Sequence, residues 1–148
     1  GEAMATYKKV LIAVDLSENS RLVVKRAEDL FANSDVELHL VHVVVPVVGD
    51  YSFELSLSDY DDFQHAHRRA VGKELAKLME DTGLHVPEDH IHLLSGHVAR
   101  EIHKLAKELG ADLLVIGSHG YGAILSVLGS TTSAVLHNIS CDALTVRV

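Results

Sequence analysis

Val10-Leu11-Ile12-Ala13-Val14-Asp15 is a run of apolar residues closed by a carboxylate. It does not alternate with polar residues, so it predicts a strand covered on both faces, as in a parallel sheet. Asp112 to Ile116 has the same character, Val36 to Val45 reads as the second strand ended by Pro46, and the shorter pieces His90 to Leu94 and Ala143 to Val148 complete a set of strands. The segments between them have helical period. Val23, Ala27, Leu30 and Phe31 step by three and four after Ser17 or Ser20, either of which suits a helix N-cap. Ser58 with Asp61 resembles a capping box for a helix running to Thr82 and stopping at Gly83. Val98, Ile102, Leu105 and Leu109 form an apolar stripe closed by Gly110, and a last helix passes through Val135 and Leu136. Alternating strands and helices predict one α/β domain, a five-stranded parallel sheet with helices on both faces. Ligands in such sheets sit at the carboxyl ends of the strands, which directs attention to the loops after Val14, Val45, Leu94 and Ile116.

The chain of 148 residues is 47% hydrophobic and 23% charged, an ordinary globular composition. Thirteen Lys and Arg against 21 Asp and Glu give a net charge of -8, which repels nucleic acid backbones and acidic lipid. No partner of either kind is expected. The chain has one cysteine, no long apolar run and no basic-then-apolar leader, so a cytoplasmic location is expected. Gly1-Glu2-Ala3 ahead of Met4 reads as an expression scar, leaving 4–148 as the domain.

Gly117-Ser118-His119-Gly120-Tyr121-Gly122 follows the fourth strand, and Gly129-Ser130-Thr131-Thr132 opens the last helix. Glycines let backbone N–H groups approach an anion, a helix N-terminus adds partial positive charge, and the hydroxyls of Ser130, Thr131 and Thr132 suit phosphate oxygens. The same residues also suit a tight strand-to-helix turn with Ser130 as N-cap. Asp15 offers a carboxylate to a ribose, a base or a metal-bound phosphate, or alternatively closes an Asx-turn over Ser17 to Asn19. No Gly-Lys-Ser/Thr phosphate loop occurs, and no Lys or Arg lies between Gly117 and Leu136.

Val10 to Ser17 (VLIAVDLS), Leu40-Val41-His42-Val43, and the pair GSHG and GST ahead of the C-terminal LTVRV resemble the universal stress protein family over the whole chain from Tyr7. The resemblance implies a cytoplasmic regulatory module in stress response, adenine-nucleotide alpha-hydrolase-like with strand order 3-2-1-4-5. It also implies a homodimer formed through the last strand, 143–148, and an unidentified regulatory protein partner. One branch of the family binds ATP through G-x2-G-x9-G-[S/T], and this chain is closest to that branch. By resemblance Ala13, Val14, Asp15 and Val43 lie near adenine and ribose, Gly117, His119 and Gly120 line the bend to the phosphates, and Gly129, Ser130, Thr131 and Thr132 hold them. The motif here is one residue short, with Tyr121 to Leu128 between Gly120 and Gly129. With no basic residue in the loop, ATP is expected together with Mg²⁺. The loops 46–57 and 117–130 are expected to order around the nucleotide.

No catalytic residue is assigned. A phospho-receiver needs an acidic pair after the first strand and a Lys after the fifth, but Asp15 is followed by Leu16 and no Lys follows. No Gly-x-Ser-x-Gly elbow stands beside His119. Binding as a signal is therefore expected over turnover; a nucleotide-free dimer acting by protein contact and a slow ATP hydrolase are the rival readings. No metal site is assigned either: His90 and His92 share a strand face beside Asp89 but form an incomplete ligand set. His65 and His67 read as solvent-facing, and His39 and His42 as packed against helices on opposite sheet faces. Cys141 reads as a small core hydrophobe.

Overall fold

The computed structural model describes residues 7–45, 57–119 and 128–148. Strand β1 (Lys9–Ala13) leads through helix α1 (Ser20–Phe31) to β2 (Glu37–Val44), and α2 (Leu57–Thr82) follows. A 3₁₀ turn, Glu88–His90, then introduces β3 (Ile91–Ser95), α3 (Val98–Leu109) and β4 (Leu113–Gly117). Helix α4 (Ser130–Leu136) and strand β5 (Asp142–Val146) complete the order. All four pairings are parallel, and the sheet order is β3-β2-β1-β4-β5, as expected.

The unbroken apolar runs are explained by two separate cores. Val10, Ile12 and Val14 of the β1 segment pack with α1 and α2 through Val23, Val24, Ala27, Leu75 and Leu78. Leu11 and Ala13 point the other way, into a second core with Ile102, Leu105 and Ala106 of α3 and Val135 of α4. Each fully buried Val, Leu or Ile contributes about 1.5–3 kcal/mol, more than a helix cap at about 1 kcal/mol. That ranking explains α1. Asn19 occupies its N-cap position with no side-chain cap bond, and its buried face nonetheless fixes the helix.

Several local expectations need correction. Neither Ser17 nor Ser20 caps α1; Ser20 is its first residue, and its hydroxyl donates to Asp15 Oδ1 at 3.1 Å. Leu30 is not on the buried face but 52% exposed, with Val24 taking that place. Ser58 lies inside α2, and the residues just before Leu57 fall outside the described set. His90 belongs to the 3₁₀ turn, so β3 begins one residue later and ends at Ser95. The stops at Gly83 and Gly110 stand, with φ of 77° and 69°, the left-handed region glycine enters without a Cβ clash.

Candidate functional site at the carboxyl ends of the strands

The strand order reverses between β1 and β4, because the chain builds outward on one side and then returns to the other. Splayed connections at that point leave a crevice above the carboxyl ends. Here the crevice is a cleft of about 790 Å³, within the usual range for small-ligand sites. Ala13, Val14, Asp15, Val43, Gly117, His119, Gly129, Ser130, Thr131 and Thr132 all line it. Gly120, and the loop positions 46–56 and 121–127, lie outside the described residues.

The β1 end is held by a local turn. Asp15 Oδ1 accepts the Ser17 amide at 2.9 Å as well as the Ser20 hydroxyl, which is the Asx-turn geometry. Both contacts fall on one carboxylate oxygen, and Asp15 remains exposed in the cleft wall. The turn sets Leu16 at φ 63°, a left-handed conformation that costs a non-glycine residue about 1–3 kcal/mol. Burial of Leu16 against the α1–α2 core opposes that cost.

The β4 end is built on close packing. A Cβ on Gly117 would sit 3.1 Å from Val23 Cγ2, so the glycine lets α1 approach without Val23 having to shift by a few tenths of an ångström. Thr132 donates its hydroxyl to the Gly117 carbonyl at 2.8 Å and is 4% exposed. It braces the cleft floor, so the expectation that its hydroxyl is offered to a phosphate is corrected. Gly129 N–H donates to Ser118 O at 2.9 Å, and Ser133 N–H to Gly129 O at 2.9 Å. Gly129, not Ser130, is the N-cap. The amides of Ser130, Thr131 and Thr132 therefore precede the first intrahelical bond of α4, beside the cleft.

Two other lining residues were given different roles from the sequence. His42 donates from Nδ1 to Val14 O at 2.9 Å, tying β2 to the β1 turn, so its role is not helix packing alone. His67 lines the cleft and stacks with Phe63 at 6.4 Å between ring centres, so it is not simply solvent-facing. His42 lies within the quoted Leu40-Val41-His42-Val43 segment, whereas no local pattern marks His67, which only the placement of α2 brings here. The described lining residues include Asp15 and Glu74 but no Lys or Arg. Cys141 is half-buried against the α3–α4 core, and burial pushes its thiol pKa up, as suits a core hydrophobe.

Among the described residues, no helix is long and apolar enough to cross a membrane. Comparison with known proteins adds three findings. The family model described as "Universal stress protein family" matches residues 6–147. Two curated relatives from Coxiella burnetii, universal stress protein A homologs 1 and 2, are 34% and 35% identical; the alignments cover 95% and 98% of this chain and 96% and 98% of theirs. A crystal structure of a universal stress protein in complex with cAMP shares the fold at TM-score 0.67 and 24% identity, over 97% of this chain and 98% of that one. The motifs, the sheet order and these full-length matches agree: the chain belongs to the universal stress protein family.

Proposed function

We propose that this chain is a regulatory module that binds ATP with Mg²⁺ in the carboxyl-end cleft and works as a homodimer without turning the nucleotide over. The observation that carries the reading is convergence. Three separate segments, 13–15, 41–43 and 128–132, together with Gly117 and His119, wall one cleft of nucleotide size. The related fold that carries cAMP makes an adenine nucleotide the natural ligand class. Val43 and Ala13 supply an apolar wall for a base, Asp15 an acceptor for ribose hydroxyls, and the amides of Ser130, Thr131 and Thr132 donors for phosphate oxygens. Mg²⁺ supplies positive charge that the described lining residues lack, with Asp15 beside it. The lack of a cleft Lys or Arg among those residues also favours binding over hydrolysis, because phosphoryl transfer needs developing charge to be stabilised.

Calorimetry with MgATP on the parent and on Gly129→Asp tests this reading. Gly129 has φ -63° and ψ 153°, a conformation open to any residue, and Asp is a better N-cap than Gly by a few tenths of a kcal/mol. The variant should keep or gain thermal stability while losing at least about a hundredfold in ATP affinity through repulsion at the phosphates. Equal affinity in both proteins would refute the phosphate position.

The dimer reading rests on β5. It is an edge strand whose sheet neighbour is β4, and Ala143 and Thr145 are exposed while Val146 is buried. An edge row of backbone groups pairs readily with a second copy across a two-fold axis. Light scattering should give the parent twice the chain mass and Thr145→Arg the single mass. A parent of single mass would rule the dimer out, and an unchanged variant would rule out this edge.

A further inference from the structure

At the opposite, amino end of the sheet, β2 and β3 bring together four side chains that the nucleotide cleft does not use. The register Leu40↔Ile91 and Val41↔His92 places His39 of β2 against His90 and His92. The His39 and His90 rings stack with centres 4.0 Å apart, and His39 Nδ1 lies 2.9 Å from His92 Nε2. His39 Nε2 lies 2.6 Å from Glu37 Oε2. His39 is 4% exposed, so it is not one of the solvated histidines that bind metals loosely. Ligand atoms of Glu37, His39 and His90 all fall within 4.8 Å of one another.

We propose that Glu37, His39 and His90 form a divalent metal site of the zinc class, with His92 supporting it from behind His39. The chemistry matches such a site. His90 Nδ1–H donates to Leu38 O at 3.0 Å, which leaves the lone pair on Nε2, the arrangement a ligating histidine uses. Metal on His39 Nε2 requires the neutral tautomer that carries its proton on Nδ1, which then donates to His92 Nε2; one proton leaves Nε2 for solvent and one is taken up at Nδ1, so the net charge of the ring is unchanged. Two nitrogens and a carboxylate oxygen make three tetrahedral ligands at about 2.0–2.2 Å, with a fourth position for water. In that geometry ligand atoms stand about 3.3 Å apart and each ring plane contains the metal, so Glu37 and His39 separate and the His90 ring turns out of its stack on His39 to bring Nε2 to the cation. Lys9 Nζ lies 3.6 Å from Glu37 Oε2 and must yield to the cation, but it also donates to Leu109 O at 2.8 Å and keeps that partner. Asp89, with Oδ1 4.0 Å from His90 Nε2, adds a second negative charge nearby. The site is independent of the nucleotide reading.

The test is Zn²⁺ titration of the full, metal-stripped chain against a chromogenic chelator. One tight site per chain is expected, weakened more than about a hundredfold in His90→Ala and in Glu37→Gln, and about tenfold in His92→Leu. His65→Ala, which alters an exposed histidine on α2, should leave it unchanged. A parent that takes up no Zn²⁺ at micromolar concentration, or equal affinity in His90→Ala and Glu37→Gln, overturns the site. Cobalt(II) gives a readout that needs no variant. An intense tetrahedral visible spectrum at one equivalent supports the assignment, and a weak octahedral one contradicts it.

Discussion

At the carboxyl end of the sheet the chain presents backbone amides, glycines and small hydroxyls around an open cleft. At the amino end it presents stacked imidazoles and a carboxylate in a tight cluster. The two ends share strand β2, yet their chemistry differs because their sources differ. The cleft draws on short contiguous motifs, VDLS and GSTT, each placed at a strand end or helix start. The histidine cluster draws on Glu37, His39, His90 and His92, which meet only because β2 and β3 align in register.

This contrast can be broken most forcefully by a double dissociation. Gly129→Asp should abolish ATP binding and leave Zn²⁺ uptake intact, while His90→Ala should do the reverse. If either variant removed both activities, the two ends would be one coupled system rather than two sites.

Two glycines sharpen the packing side of the comparison. Gly117→Ala puts a Cβ 3.1 Å from Val23 Cγ2 under the cleft and should cost about 1–2 kcal/mol in thermal unfolding. Gly72→Ala, at an exposed α2 position with nothing within 4 Å of the new Cβ, should gain about 0.5–1 kcal/mol. The same sign for both would mean that the cleft floor tolerates the larger side chain and that Gly117 is not there for close packing.

The smallest expected effect is a pH dependence at the amino end. Burial first, and then the neighbouring His39 and His90 charges, hold the His92 pKa below its ordinary value of 6.5. The folded state therefore binds fewer protons than the unfolded state below that pH. Its contribution is fully present above about pH 6.5 and is lost as pH falls toward the lowered folded value. Melting temperature should thus fall more steeply from pH 7 to pH 5 in the parent than in His92→Leu. Parallel slopes would remove His92 from the acid response.

The sheet was legible because β1 and β4 are buried on both faces, which writes an unbroken apolar run into the sequence. The helix stops at Gly83 and Gly110 were legible for a similarly local reason, a left-handed cap. The cleft wall was legible wherever a motif sits at an element end. Asp15, Gly117 and Ser130 are examples. What was hidden depends on tertiary partners. Thr132 reads as a phosphate donor until the Gly117 carbonyl is seen to take its proton. Leu30 fits the helical stripe of α1 but falls outside the arc that the sheet covers. His39 reads as helix packing because its true neighbours, His90 and His92, lie about fifty residues away on β3 and the turn before it.

The central claim, an adenine nucleotide in the carboxyl-end cleft, is tested most directly on freshly purified protein. The chain is denatured, the released small molecules are separated by ion exchange, and the emptied, refolded protein is titrated with MgATP. The account predicts released ATP or ADP approaching one per chain, or, from an initially empty preparation, saturable uptake of one MgATP. A protein that releases no adenine nucleotide and takes up none would contradict it, and would leave the glycine segments as turns in a nucleotide-free member of the family.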